Sequence, residues 1–224
     1  MIRGIVFDFD GLILDTEAPE YQSWQEIYAE HGCTLPLSNW VAGVGKRNES
    51  ISFSPYDHLE AQLGRALDRA AIREKRRQRY AELIAAQTIL PGVEDYLMEA
   101  KRLGLKIGLA SSSDREWVSG HLGKLGLQAH FECMKCVEDV QRAKPDPDLY
   151  LAALDALGLQ PYEAIALEDS PVGIAAAKQA GLFCVAVPNP LTCQLPLDQA
   201  DLRLSSLAEM PLARLLAEVE RGRS

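Results

Sequence analysis

The chain has 224 residues, 47% of them hydrophobic and 25% charged, with a net charge of -9. That length carries one large domain or two small ones around a full apolar core, and the acidic balance argues against a nucleic-acid partner, because a phosphate backbone needs a basic face. No apolar run approaches the roughly 20 residues of a membrane span. Met1-Ile2-Arg3-Gly4 runs directly into a strand, so no signal peptide is expected. Five cysteines, an odd number, fit a reducing compartment, and the expected location is cytoplasmic.

Residues 3–8 read as a buried strand that ends in two acids and a glycine, Asp8-Phe9-Asp10-Gly11. An Asp-x-Asp spacing alone says little, and it recurs at Asp146-Pro147-Asp148. Position says more: burying carboxylates at a strand end is costly unless they have partners, and ligands bind at the carboxyl ends of strands in open α/β sheets. From about 16 to 86 the pattern is helical, with no convincing strand. Thr16 is placed to cap its first helix. Leu59, Leu63, Leu67 and Ala70 recur at helical spacing, and the basic run 72–80 that follows reads as a solvated helix face. The stretch Ser50-Ile51-Ser52-Phe53-Ser54-Pro55 divides the segment into two hairpin-like halves.

From Leu90-Pro91-Gly92 the chain alternates. Helices are expected at about 93–103, 114–125, 147–157 and 171–180, with a last one after Ser205-Ser206; strands are expected at 105–110, 131–137, 164–167 and 183–187. Gly126 and Gly181 stop two of these helices. Repeated β-α-β predicts an α/β fold, a Rossmann-like, doubly wound parallel sheet to which the first strand also belongs. The expected organisation is a core of 1–15 and 87–224 with an all-α helical domain, 16–86, inserted into it. Cys133 and Cys136 form Cys-x-x-Cys on a strand, where i and i+3 face opposite sides, and read as unrelated thiols. Asp146 and Asp148 read as acids at a helix N-terminus.

Strand ends converge in a parallel sheet. Asp8 and Asp10 follow the first strand, Ser111-Ser112-Ser113 the second, Arg142-Ala143-Lys144-Pro145 the third and Glu168-Asp169-Ser170 the fourth. Ser113 or Asp114 suits the cap of the next helix, which frees Ser111 for a ligand. Neighbouring carboxylates repel and need a counter-charge. A divalent cation supplies it, and oxygen-only ligands favour Mg²⁺, which also takes substrate phosphate. In such a site one carboxylate can attack phosphorus, and a second can protonate the leaving oxygen and then deprotonate water. The metal and a lysine would offset charge on the phosphoryl oxygens.

Asp8-Phe9-Asp10-Gly11, Ser111, Lys144-Pro145 and Glu168-Asp169-Ser170 resemble, in order and context, the motifs of the haloacid dehalogenase superfamily. The helical insertion after the first motif resembles its C1-type cap, and Glu168-Asp169 looks like the subgroup of β-phosphoglucomutase and many sugar-phosphate phosphatases. The resemblance implies Asp8 as nucleophile and Asp10 as general acid/base. It implies Asp8, the Asp10 backbone carbonyl and Asp169 as holders of Mg²⁺ with Glu168 close by, and Ser111 and Lys144 as contacts of the transferring phosphoryl group. Gly11, Ser112 and Ser170, and in the insertion Glu20, Lys46 and Arg47, are candidate substrate contacts. Asp10 speaks against a metal-free dehalogenase. The insertion lacks the mutases' first-helix histidine, since residues 17–21 read Glu-Ala-Pro-Glu-Tyr; Gly45-Lys46-Arg47 matches their loop only in part, and their lysine after the second motif is missing. The expected activity is therefore a Mg²⁺-dependent phosphatase of a small phosphorylated metabolite, acting as a monomer. A phosphosugar mutase is the alternative, and a phospho-aspartate receiver or binding module is disfavoured by the inserted domain.

Overall fold

A computed structural model describes residues 1–41 and 53–222 of the chain. The first strand, β1 (Gly4–Phe7), is buried at every position and lies between β2 (Lys106–Ala110) and β4 (Ala164–Glu168). β3 (Cys133–Lys135) flanks β2, while β5 (Phe183–Ala186) and β6 (Leu202–Arg203) extend the other side. The sheet is six-stranded, ordered β3-β2-β1-β4-β5-β6, with every pair parallel. A strand covered on both faces needs apolar side chains on both, which is why β1 reads as an unbroken apolar run. The strand order reverses between β1 and β4, so a ligand crevice opens beyond their carboxyl ends.

Alternation along the strands sends residues to two cores. Ile5, Phe7, Ile107, Leu109, Ile165 and Leu167 meet α5 (Val93–Arg102), α6 (Arg115–Leu125) and α9 (Leu212–Arg221). Val6, Ala110, Ala164 and Ala166 meet α7 (Asp148–Leu157) and α8 (Pro171–Gln179). Cys136 belongs to the first core and Cys133 packs against the second, and both thiols are free, as their spacing predicts.

Between β1 and α5 lie α1 (Glu17–Glu30), α2 (Leu37–Val41), α3 (Pro55–Leu63) and α4 (Arg69–Ala85). They share an apolar cluster of their own, including Trp24, Ile27, Tyr28, Trp40, Leu59 and Ile72, which Leu191 of the sheet-bearing part joins. The helical spacing from Leu59 to Ala70 is interrupted. Gly64, with φ 64°, ends α3, and the Asp68 carboxylate accepts from the N–H groups of Ala70 and Ala71 to start α4. Ser54 caps α3 with Pro55 in its first turn, while 50–52 of the predicted break lie outside the described residues. The basic run forms a ladder to α1 through Lys75–Glu30 at 2.6 Å and Arg79–Glu26 at 2.8 Å.

Other differences are local. Thr16 makes no side-chain cap bond, and Asp15 Oδ1 accepts from the Ala18 N–H instead at 3.0 Å. β3 is shorter than the apolar run 131–137 because 3-10 turns at Gln128–His130 and Val137–Asp139 bound it. A further 3-10 turn, Leu207–Glu209, delays the last helix to Leu212. β6 is unexpected, since two residues carry no periodicity.

Candidate active site

Where β1 ends, the Asp8 N–H donates to the Leu167 carbonyl at 3.0 Å, which locks the loop to β4. The chain then turns tightly, with N–H groups of Leu12 and Ile13 donating to the Phe9 carbonyl. Gly11 sits in this turn at φ 79°, and a Cβ there would lie 2.2 Å from Asp169 Oδ2. Only glycine lets the loops after β1 and β4 approach this closely.

Lys144 Nζ donates to Asp8 Oδ1 and to Glu168 Oε1, each at 2.6 Å. The Tyr150 hydroxyl donates to the same Glu168 oxygen at 2.6 Å, and Asn189 Nδ2 donates to Asp169 Oδ2 at 2.9 Å. Ligand oxygens of Asp8, Glu168 and Asp169 lie within 4.8 Å of one another, and all three residues are buried. Burial, then Glu168, pushes the Asp8 carboxyl up to about 7 against the pull of Lys144. Burial, then Asp8 and Glu168, likewise raises Asp169 well above the usual carboxylate range. Burial works against the charge of Lys144, but Asp8 and Glu168 outweigh it and raise its pKa. One lysine among three buried carboxylates leaves the cluster short of positive charge. Hard oxygen donors in that number fit a Mg²⁺ ion.

The carboxylate of Asp10 is held apart from this cluster. Its Oδ2 accepts from Ser113 Oγ at 2.7 Å and Ser111 Oγ at 3.3 Å, and its Oδ1 accepts from the indole N–H of Trp117 at 2.9 Å. Ser111 follows β2, buried, and its Oγ also accepts from the Ser113 N–H. Asp114 caps α6, as its position predicts, so Ser111 is spared that task.

Asp8, Lys144, Glu168 and Asp169 thus form one group beyond the ends of neighbouring strands, and the Asp10 carboxylate pairs with Ser111 beside it. Ser112 is half-buried beside Ser111. The Ser170 hydroxyl accepts from the Gly173 N–H at 3.2 Å and caps α8. Glu20 lies on α1, 3.5 Å from Arg76. Lys46 and Arg47 lie outside the described residues. Asp146 and Asp148 both pair with Arg142.

Sequence reasoning missed Glu17, Trp117, Tyr150 and Asn189. Burial, then Glu20 and Asp10, pushes Glu17 up to about 8. Its place directly after Asp15-Thr16 was an available signal. Asn189 stands between two prolines after a strand, in Pro188-Asn189-Pro190, and orders that loop through its Oδ1 as well. Trp117 and Tyr150 look like ordinary core aromatics at helical spacing.

Two expectations follow from this geometry. A Cβ at Gly173 would lie 1.9 Å from Glu168 Oε2, and that buried side chain is held by Lys144 and Tyr150. Gly173→Ala should therefore displace Glu168 and weaken Mg²⁺ binding by this carboxylate group about tenfold or more. A calorimetric Mg²⁺ titration checks it; an unchanged affinity would count against Glu168 as part of a metal site. The second concerns pH. Between its ordinary value of 3.8 and about 7, Asp8 keeps a proton in the folded protein that the unfolded chain has lost. Stability of the metal-free protein should thus fall as pH rises through that window. Cation binding needs ionised carboxylates, so added Mg²⁺ should raise the melting temperature more at about pH 8 than at about pH 5. Equal shifts at both would contradict the assignment.

The family model for haloacid dehalogenase-like hydrolases matches residues 2–181. "Putative phosphatase YhcW" of Bacillus subtilis (strain 168) is 50% identical over 216 residues, covering 96% of this chain and 97% of its own length. Validoxylamine A 7'-phosphate phosphatase of Streptomyces hygroscopicus subsp. limoneus is 28% identical, over 94% of this chain and 96% of its own. Among solved structures, CbbY from Rhodobacter sphaeroides in complex with phosphate superposes with a TM-score of 0.72 at 29% identity, covering 95% of this chain and 98% of that one.

Proposed function

The chain belongs to the haloacid dehalogenase-like hydrolases, and from that premise we propose a phosphatase that releases phosphate from a small phosphomonoester, a sugar phosphate or similar metabolite, through an aspartyl-phosphate on Asp8. The observation that carries this reading is Lys144, which bridges Asp8 and Glu168 at 2.6 Å each beside Asp169. Asp8, Glu168, Asp169 and the Asp10 backbone carbonyl would hold Mg²⁺, which when bound offsets charge on the phosphoryl oxygens. Asp8 attacks phosphorus while the bond from phosphorus to the leaving oxygen breaks, and the Asp10 carboxyl gives that oxygen its proton. Asp10 then takes a proton from water, the water oxygen attacks phosphorus, and the bond to Asp8 breaks to release inorganic phosphate. Lys144 and Ser111 hold the phosphoryl oxygens through both steps.

Residues 16–86 act in this reading as a cap over the crevice, with Glu20, Lys46 and Arg47 as substrate contacts and closure excluding water during attack. The absence of a histidine in the first turns of α1 favours hydrolysis over return of the phosphate to a sugar. No helix among the described residues is long and apolar enough to cross a membrane.

The test is phosphate release from a panel of sugar phosphates, nucleotides, phosphoglycolate and an aryl phosphate, with Mg²⁺ and with chelator. Mg²⁺-dependent release from one or a few compounds supports the reading. Interconversion of glucose 1- and 6-phosphates without release would make the protein a mutase, and neither activity would overturn both.

A further inference from the structure

The three donors around Asp10 are not equivalent. Ser111 and Ser113 are hydroxyls, which rotate to donate or accept, whereas an indole N–H only donates. Oδ1 therefore has to remain an acceptor for as long as the 2.9 Å bond to Trp117 Nε1 is kept. Oδ2, with Ser113 Oγ at 2.7 Å and Ser111 Oγ at 3.3 Å, faces groups that can turn to accept from it.

The indole is itself held in place. The ring of Tyr80, on α4 of the insertion, stacks on Trp117 with centroids 5.9 Å apart and planes 9° from parallel. His121, one helical turn along α6, meets it edge-on at 4.3 Å, and Phe9, which separates Asp8 from Asp10 in the chain, lies 6.3 Å from His121. The Tyr80 hydroxyl donates to the Thr16 carbonyl at 3.5 Å, at the start of α1. A free indole could rotate away from Oδ1, whereas an indole between two rings keeps its N–H aimed.

We propose that Trp117 is a positioning residue for the general acid: its N–H holds Asp10 Oδ1 and so fixes the plane of the carboxyl, with Oδ2 on the side of Ser111 and Ser113, and Tyr80 keeps the indole aimed. This rests on the phosphatase reading above. The step conserves atoms: the Asp10 carboxyl proton passes to the leaving oxygen as its bond to phosphorus breaks, and the indole keeps its own proton throughout.

The experiment compares two leaving groups. p-Nitrophenolate departs without a proton, whereas the alkoxide of a sugar phosphate needs one. Trp117→Phe keeps an aromatic ring against Tyr80 and removes the donor together with part of the indole's volume. We expect kcat/KM for the best alkyl phosphate to fall about tenfold or more, and that for p-nitrophenyl phosphate to stay within about twofold. General packing damage would lower both alike. Equal loss, or no loss, on the two compounds overturns the inference while leaving the phosphatase reading intact; failure of the unmodified protein to release phosphate from either overturns both. If Trp117→Phe does not fold, Tyr80→Leu asks the same question, because it frees the indole without touching Asp10. The same selective loss, of smaller size, supports the inference, and an equal or absent loss overturns it.

Discussion

Asp8→Asn should abolish turnover without harming the fold. Phosphate release is expected to fall by about 10⁴-fold or more, since an amide cannot form the acyl phosphate and no other described side chain stands in the same place. The metal-free variant should melt no lower than the parent. Burial and Glu168 push the Asp8 carboxyl up to about 7, so its ionised form is costly in the folded protein. An asparagine removes that charge and leaves Lys144 paired with Glu168 at 2.6 Å. Activity assays and thermal melts with chelator check the two halves separately. Retained turnover would remove Asp8 as nucleophile; a large drop in melting temperature would mean that the carboxylate stabilises the fold, contrary to its environment. The second outcome matters because active sites commonly hold groups that function needs and stability does not.

What the sequence made legible, and what it did not, divides along physical lines. β1, β2 and β4 were readable because burial on both faces demands a run of apolar residues, and α6 because Asp114 and Gly126 mark its two ends. The placement of Asp8, Asp10, Ser111, Lys144, Glu168 and Asp169 at one edge was readable because a parallel sheet brings its strand ends together, so order along the chain becomes neighbourhood in space. The break at Gly64–Asp68 was missed although both signals are local, because the leucine spacing continues across it. The partners of the acids were not readable at all. Tyr150 reaches Glu168, and Trp117 reaches Asp10, by virtue of which face of α7 or α6 meets the crevice. Helical periodicity says that such residues are buried but not that a carboxylate waits beside them. Gly173 belongs to the same class, since its requirement is set by a side chain packed against it from β4.

Lys144→Met should cost both stability and activity, which separates it from Asp8→Asn. Lys144 is the cation shared by Asp8 and Glu168, and its side chain is almost wholly buried. Removing one member of a buried ion pair typically costs about 3–5 kcal/mol, because the charge left behind is uncompensated. Here two carboxylates are left, with Asp169 close by. The protein can soften the loss by keeping protons on them, and that relief is available only at low pH. Asp8 already holds its proton up to about 7, and without Lys144 its pKa should move higher still. The destabilisation relative to the parent should therefore be small near about pH 5 and grow toward about pH 8. Added Mg²⁺ should recover part of the stability, since it supplies the missing positive charge, but not the activity, which is expected to drop about 10²-fold or more once the phosphoryl group loses its lysine contact. Urea unfolding at the two pH values, with and without Mg²⁺, measures the first part, and phosphate release the second. A loss independent of pH would mean that Lys144 acts mainly through packing against the ring of Tyr150, whose centroid lies 5.0 Å from its ammonium.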